Sequence, residues 1–166
     1  MMKSVISRVR RFLHSDSEGS ALVEMALVLP VMMLLITGTC SLGLVLNNFL
    51  VLTNAVQNGA MQAATGAGQT TSFDPCQTAA TAIAAAAPTL APANITLTFN
   101  FSGVPSGTAQ PASFVGLSSA TCAGLSSYMT ANTTVTVTAT YPTQFIIYGW
   151  APGSINLKTT TAEMAQ

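Results

Sequence analysis

The sequence predicts an α+β protein. A long amino-terminal transmembrane and spine helix over 20–65 precedes a small extracytoplasmic domain over 66–166, with one short helix and a three-stranded antiparallel sheet. Three observations carry this prediction. Met25 to Leu46 is a run of 22 residues without a charge, behind a basic amino-terminus. Helical spacing continues beyond that run. Three later segments alternate apolar residues with Thr, the period of a half-buried strand.

Composition narrows the function. The chain has 166 residues, a formal net charge of zero, 49% hydrophobic residues and only 6% charged ones. That charge fraction is about a quarter of the value usual for soluble domains. Five Lys plus Arg cannot make the basic face a nucleic-acid binder needs. Charge-rich disorder is excluded as well.

The charges themselves are placed informatively. Lys3, Arg8, Arg10 and Arg11 precede the apolar run, and Lys158 is the only other cation of this kind. After Glu24 only Asp74, Lys158 and Glu163 remain. At about 1.5 Å per residue the run reaches roughly 33 Å, enough to cross a hydrocarbon core of roughly 30 Å. The Arg cluster sets its amino side in the cytoplasm. A cleaved secretory signal has a shorter apolar core, and a buried core helix lacks such a charged flank.

Asn47 and Asn48 mark the outer interface. Beyond them Leu42, Val45, Leu46, Phe49, Thr53, Val56, Ala60 and Ala63 share one helical face, and Asn47, Asn54, Asn58 and Gln62 share another. One helix from Ser20 to Thr65 fits this pattern, stopped by Gly66 and Gly68; the alternative is a separate short helix starting at Asn47.

Gly66 to Phe73 reads as a linker. Asp74-Pro75 reads as a helix cap with Pro at the first helical position, ahead of the Ala-rich stretch Cys76–Ala87. Pro88 and Pro92 end that helix. The first strand is Asn94–Phe101, with Ile95, Leu97, Phe99 and Phe101 inward. The second is Thr133–Tyr141, with Val135, Val137, Ala139 and Tyr141 inward. The third is Ser154–Ala162, with Ile155 and Leu157 inward. Thr on the opposite face suits an exposed antiparallel sheet.

Between the last two strands lies Phe145-Ile146-Ile147-Tyr148-Gly149-Trp150. It is either a hydrophobic plug over the sheet or a contact patch for a neighbouring subunit or membrane lipid, where Tyr and Trp are favoured. Cys76 and Cys122 lie in the outer part, and an oxidising compartment would join them; the alternative is two thiols. Cys40 sits inside the apolar run as an inert thiol. Zinc is not expected, because there is no CxxC pair and the only His is His14. Asn94, Asn100 and Asn132 each begin an Asn-x-Ser/Thr sequon, which a Thr-rich chain produces by chance.

Glu24 is the anomaly. A carboxylate at the start of an apolar run costs about 2.5 kcal/mol or more if it lies deep in lipid. It either stays at the headgroups or has a partner and a purpose. Glu18-Gly19-Ser20-Ala21-Leu22-Val23-Glu24 places Gly, four residues, then Glu, just after a short basic leader. This resembles the processing site of type IV prepilins. The stretch Gly19–Pro30 and the block Leu52–Ala64 resemble the TadE-like pseudopilins of tight-adherence (Tad/Flp) pilus systems. Relatives commonly carry charges around the second block's Gly, where this chain has Gln57, Asn58 and Met61.

The resemblance implies a basic prepilin-type leader over 1–19, cut by a prepilin peptidase between Gly19 and Ser20. It implies that Glu24 pairs with the new amino-terminus of a neighbouring subunit. Pro30 then follows as the helix kink. The cut chain keeps Lys158 against Glu24, Asp74 and Glu163. The implied partners are the peptidase, other pseudopilins and pilins, an inner-membrane assembly platform and membrane lipid, with neither nucleic acid nor a small-molecule substrate. The implied place is a bacterial inner membrane, crossed once, with the amino-terminus cytoplasmic.

Two other classes compete. A signal-anchored extracytoplasmic binding module or adhesin would keep its leader and not depend on Glu24. An enzyme is disfavoured, because the cut chain has no His, three acids and one Lys. Its many Ser and Thr then lack a base to activate them, and no cofactor is expected.

Overall fold

The computed structural model describes residues 16–66, 73–105, 113–122, 124–146 and 153–166. The chain divides into two compact units, Met1–Ser41 with Ile146–Trp150 and Leu42–Phe145 with Ala151–Gln166.

A single helix, α1, runs from Asp16 to Thr65 and contains Pro30. It starts four residues before the expected Ser20, and no break separates a second helix at Asn47. Its Ala, Leu and Met are strong helix formers. In the first unit its apolar side chains, from Leu22 to Ile36, are exposed. Only a non-aqueous surrounding would cover them without cost. The helix is long and apolar enough to cross a membrane.

Hydroxyls in this stretch find partners inside the protein. Thr37 donates to the Met33 carbonyl at 2.9 Å and Thr39 to the Leu35 carbonyl at 3.0 Å. Ser41 does not bond back to its own helix in this way; it donates to the carbonyl of Ile146.

The second unit is a two-layer α+β domain. On α1 its buried residues are Leu52, Ala55, Val56, Ala60, Ala63 and Ala64. Val56, Ala60 and Ala63 follow the expected face, and the rest of it is corrected. Leu42 and Leu46 are exposed, while Leu52 and Ala55 are buried. Their apolar character sets no direction, because lipid and a protein core select the same side chains. The polar set Asn47, Asn54, Asn58 and Gln62 is exposed throughout.

Helix α2 spans Pro75–Ala86. Gly59 of α1 is buried against it. A Cβ at Gly59 would lie 2.6 Å from Ile83 Cγ1 and 2.9 Å from the Ala79 carbonyl oxygen. The missing side chain is what lets the two helices approach this closely.

The sheet has four strands, not three: β1 (Thr96–Phe101), β2 (Phe114–Val115), β3 (Thr134–Gln144) and β4 (Ser154–Met164). Their order is β2-β1-β3-β4, antiparallel throughout. The added strand is two residues long, too short for alternation to reveal it. Residues Pro92–Asn94 form a 3-10 turn, so β1 begins two residues later than expected. Strand β3 continues through Pro142. Its pairing with β1 ends at Thr140, leaving β4 as its neighbour there. A residue without an N–H is tolerated at such a place.

The expected inward rows hold on β1 and β3, where Leu97, Phe99, Phe101, Val135, Val137 and Ala139 are buried. On β4 Leu157 is buried but Ile155 is 47% exposed, which corrects that assignment. Thr159 takes the next inward place. Ile155 stands near the strand's start, beyond the reach of the core. At the centre Phe99 stacks beside Phe101, with ring centroids 6.4 Å apart, and meets the edge of Phe114 at 6.3 Å.

Candidate functional site

The amino-terminal turns of α1 hold the first candidate site. Because the helix begins at Asp16, both Gly19 and Ser20 are helical, and Glu24 lies one turn after Ser20. Gly19, Ser20, Val23, Glu24 and Leu27 border one shallow hollow. All five are exposed. A Cβ built on Gly19 would meet nothing within 4 Å. The Gly is therefore not demanded by packing within this chain. Pro30 lies further along the same helix. Lys3, Arg8, Arg10, Arg11 and His14 lie outside the described residues. Among the described residues the only cation is Lys158, on β4.

The outer domain carries a second polar centre. Asp74 adopts extended backbone, φ −107 and ψ 106, as the N-cap of α2. Its Oδ1 accepts the N–H groups of Cys76 at 3.0 Å and Gln77 at 3.1 Å. The same carboxylate accepts from the Thr121 hydroxyl at 2.7 Å and from the Cys122 N–H. Cys76 and Cys122 are joined as a disulfide, with their Cα atoms 5.4 Å apart. The carboxylate and the two sulfurs lie within 4.8 Å of one another. A bonded sulfur is not a thiolate, and the carboxylate oxygens already face four donors. The cluster is thus a clasp between α2 and the segment after the Leu117–Ser119 turn. The Asp74 cap is legible in the Asp-Pro pair; its reach to Thr121 and Cys122 has no local signal.

The candidate contact patch is seen in part. Phe145 is half-buried, and Ile146 is 47% exposed. Ile147, Tyr148 and Trp150 lie outside the described residues. The Ser41–Ile146 hydrogen bond has no signal in the sequence, because nothing in the spacing of two residues so far apart announces it.

The family model of TadE-like proteins matches residues 19–61. No curated protein and no solved structure gives a significant match to the chain. The matched segment opens on Gly19, contains Glu24, Pro30 and Gly59, and stops before α2. Over residues 19–61 of its long helix, then, the chain is similar to TadE-like proteins.

Proposed function

We propose that the chain is a TadE-like pseudopilin, a minor pilin that takes part in assembling an adhesive Flp-type pilus. It does no catalysis of its own. A prepilin peptidase cuts it between Gly19 and Ser20, leaving Ser20 with a free amine. The observation that carries this reading is the family match that starts on Gly19 and includes Glu24 on an exposed helix face.

The physics of the site supports the reading. Gly at the last leader position lets the backbone approach catalytic carboxylates closely. The cut removes Lys3, Arg8, Arg10 and Arg11 together. The new amine supplies the cation that Glu24 lacks in the apolar run. Pairing with a neighbour's amine in a helix bundle fixes register, because an unpaired charge there is costly. The amino-terminus faces the cytoplasm by its Arg cluster, and the outer domain lies across the membrane. Other pilins of the system and an inner-membrane platform are its partners.

Intact mass and amino-terminal sequencing of the membrane-extracted protein test the cut. The chain begins at Ser20 when an active prepilin peptidase is present, and not otherwise. A chain that keeps its leader in both conditions would leave Glu24 without its amine and favour the unprocessed adhesin. For the pairing, Glu24→Ala should still insert but should no longer co-purify with the other pilins. Normal co-purification would sink that role.

A further inference from the structure

We propose that the chain at Ile146, where β3 runs out, is seated in the outer leaflet of the bilayer, as a second apolar anchor beside α1. The occupant of this surface is lipid. The inference rests on α1 crossing a membrane and is independent of the pilus reading.

One hydrogen bond locates the seat: Ser41 Oγ donates to the Ile146 carbonyl. Asn48 stands just outside the apolar run and Ser41 within it, five residues from its Leu46 end. That places Ser41 about 7 Å below the level of Leu46.

The chemistry at this depth fits lipid. In hydrocarbon a free backbone carbonyl has no water to bond, so it needs an internal donor. Thr37 and Thr39 use their hydroxyls on their own helix, whereas Ser41 offers its hydroxyl to Ile146. Ser41 thus satisfies a polar group that the approaching chain would otherwise bring unpaired into the membrane. Ile146 leaves nearly half its surface uncovered by protein.

Depth measurement on the full chain in phosphatidylethanolamine–phosphatidylglycerol vesicles tests the proposal. With Cys40→Ala as background, a nitroxide is attached at Ile146→Cys or, as a water-exposed reference, at Thr98→Cys. The 146 label should collide with oxygen, relative to a water-soluble nickel chelate, several-fold more often than the 98 label. Equal ratios at the two sites would overturn the proposal. So would a 146 label shielded from both agents, which would mean protein covers it. If labelling prevents insertion, Ile146→Trp in a Trp150→Phe background gives a second reading. Its single tryptophan should be quenched by lipids brominated near the headgroup, and quenching no greater than by unbrominated lipid would equally defeat the idea.

Discussion

The Asp74 carboxylate accepts the backbone N–H of Cys122 with both of its oxygens, at 3.0 and 2.9 Å. One side chain thereby caps a helix and holds a segment 48 residues away. The disulfide alongside repeats the connection in covalent form. Removing the carboxylate loses a cap worth about 1 kcal/mol and charge-assisted bonds worth about 1.5–3 kcal/mol each at most. Asp74→Ala should destabilise the outer domain by about 2–4 kcal/mol, and Asp74→Asn by less, since one acceptor oxygen remains. Urea unfolding of the detergent-solubilised chain, followed by circular dichroism, measures both. Equal losses for the two variants would show that the charge matters and the capping geometry does not.

The disulfide closes a loop across a separation of 46 residues. In the chain-entropy account such a loop contributes roughly 4 kcal/mol. Replacing Cys76 and Cys122 together by Ser should lower the urea midpoint and raise the slope, because the freed unfolded chain exposes more surface. Because Asp74 bonds to the backbone N–H of both cysteines, its loss and the loss of the disulfide should not add. A double-mutant cycle with Asp74→Ala gives the coupling directly. An additive result would mean that the two ties act separately.

Gly59 and Ile83 form a close contact between the two helices. A methyl at Gly59 would press on a flexible side chain and also on the Ala79 carbonyl, which cannot step aside. Gly59→Ala should cost about 1–3 kcal/mol. Trimming the other partner, Ile83→Val, should recover only part of that loss, because the carbonyl contact persists. Thermal unfolding of the single and double variants checks this; full recovery would place all of the strain on Ile83.

Phe99 is buried at the centre of the sheet and touches two other rings. Phe99→Ala should cost about 3–5 kcal/mol. Its loss should loosen the short strand β2 first, since Phe114 packs on that ring. Hydrogen exchange at the backbone of β1 and β2 would show the order.

Much of the architecture is legible in sequence, for identifiable reasons. The apolar run has a length that only a few structures can use. The Thr-alternating strands announce their buried faces through Phe99, Phe101, Val135 and Val137. Asp74-Pro75 announces a helix start. What stays hidden depends on distant partners. The face of α1 that meets the domain is ambiguous because Leu42 and Leu52 look alike until one knows which meets lipid. Strand β2 exists only because Leu97 and Thr96 offer it an edge. Ser41 reads as one small residue among several, and its bond to Ile146 comes from the tertiary fold. In the candidate site, Gly19, Ser20 and Glu24 are recognisable by spacing, whereas the Asp74 clasp is not.

The Gly19–Ser20 bond lies in the opening turn of α1, which begins at Asp16. A protease cleft takes its substrate as an extended strand, so a helical peptide bond is presented only when the turn frays. Near a helix end, fraying breaks few backbone hydrogen bonds and happens within a fraction of a microsecond. Deeper in the same helix it would break many. In the proposed processing, the position of that bond sets a competition between local winding and capture. Its rate should then follow the helix propensity of residues 16–20, even for substitutions that the enzyme never touches.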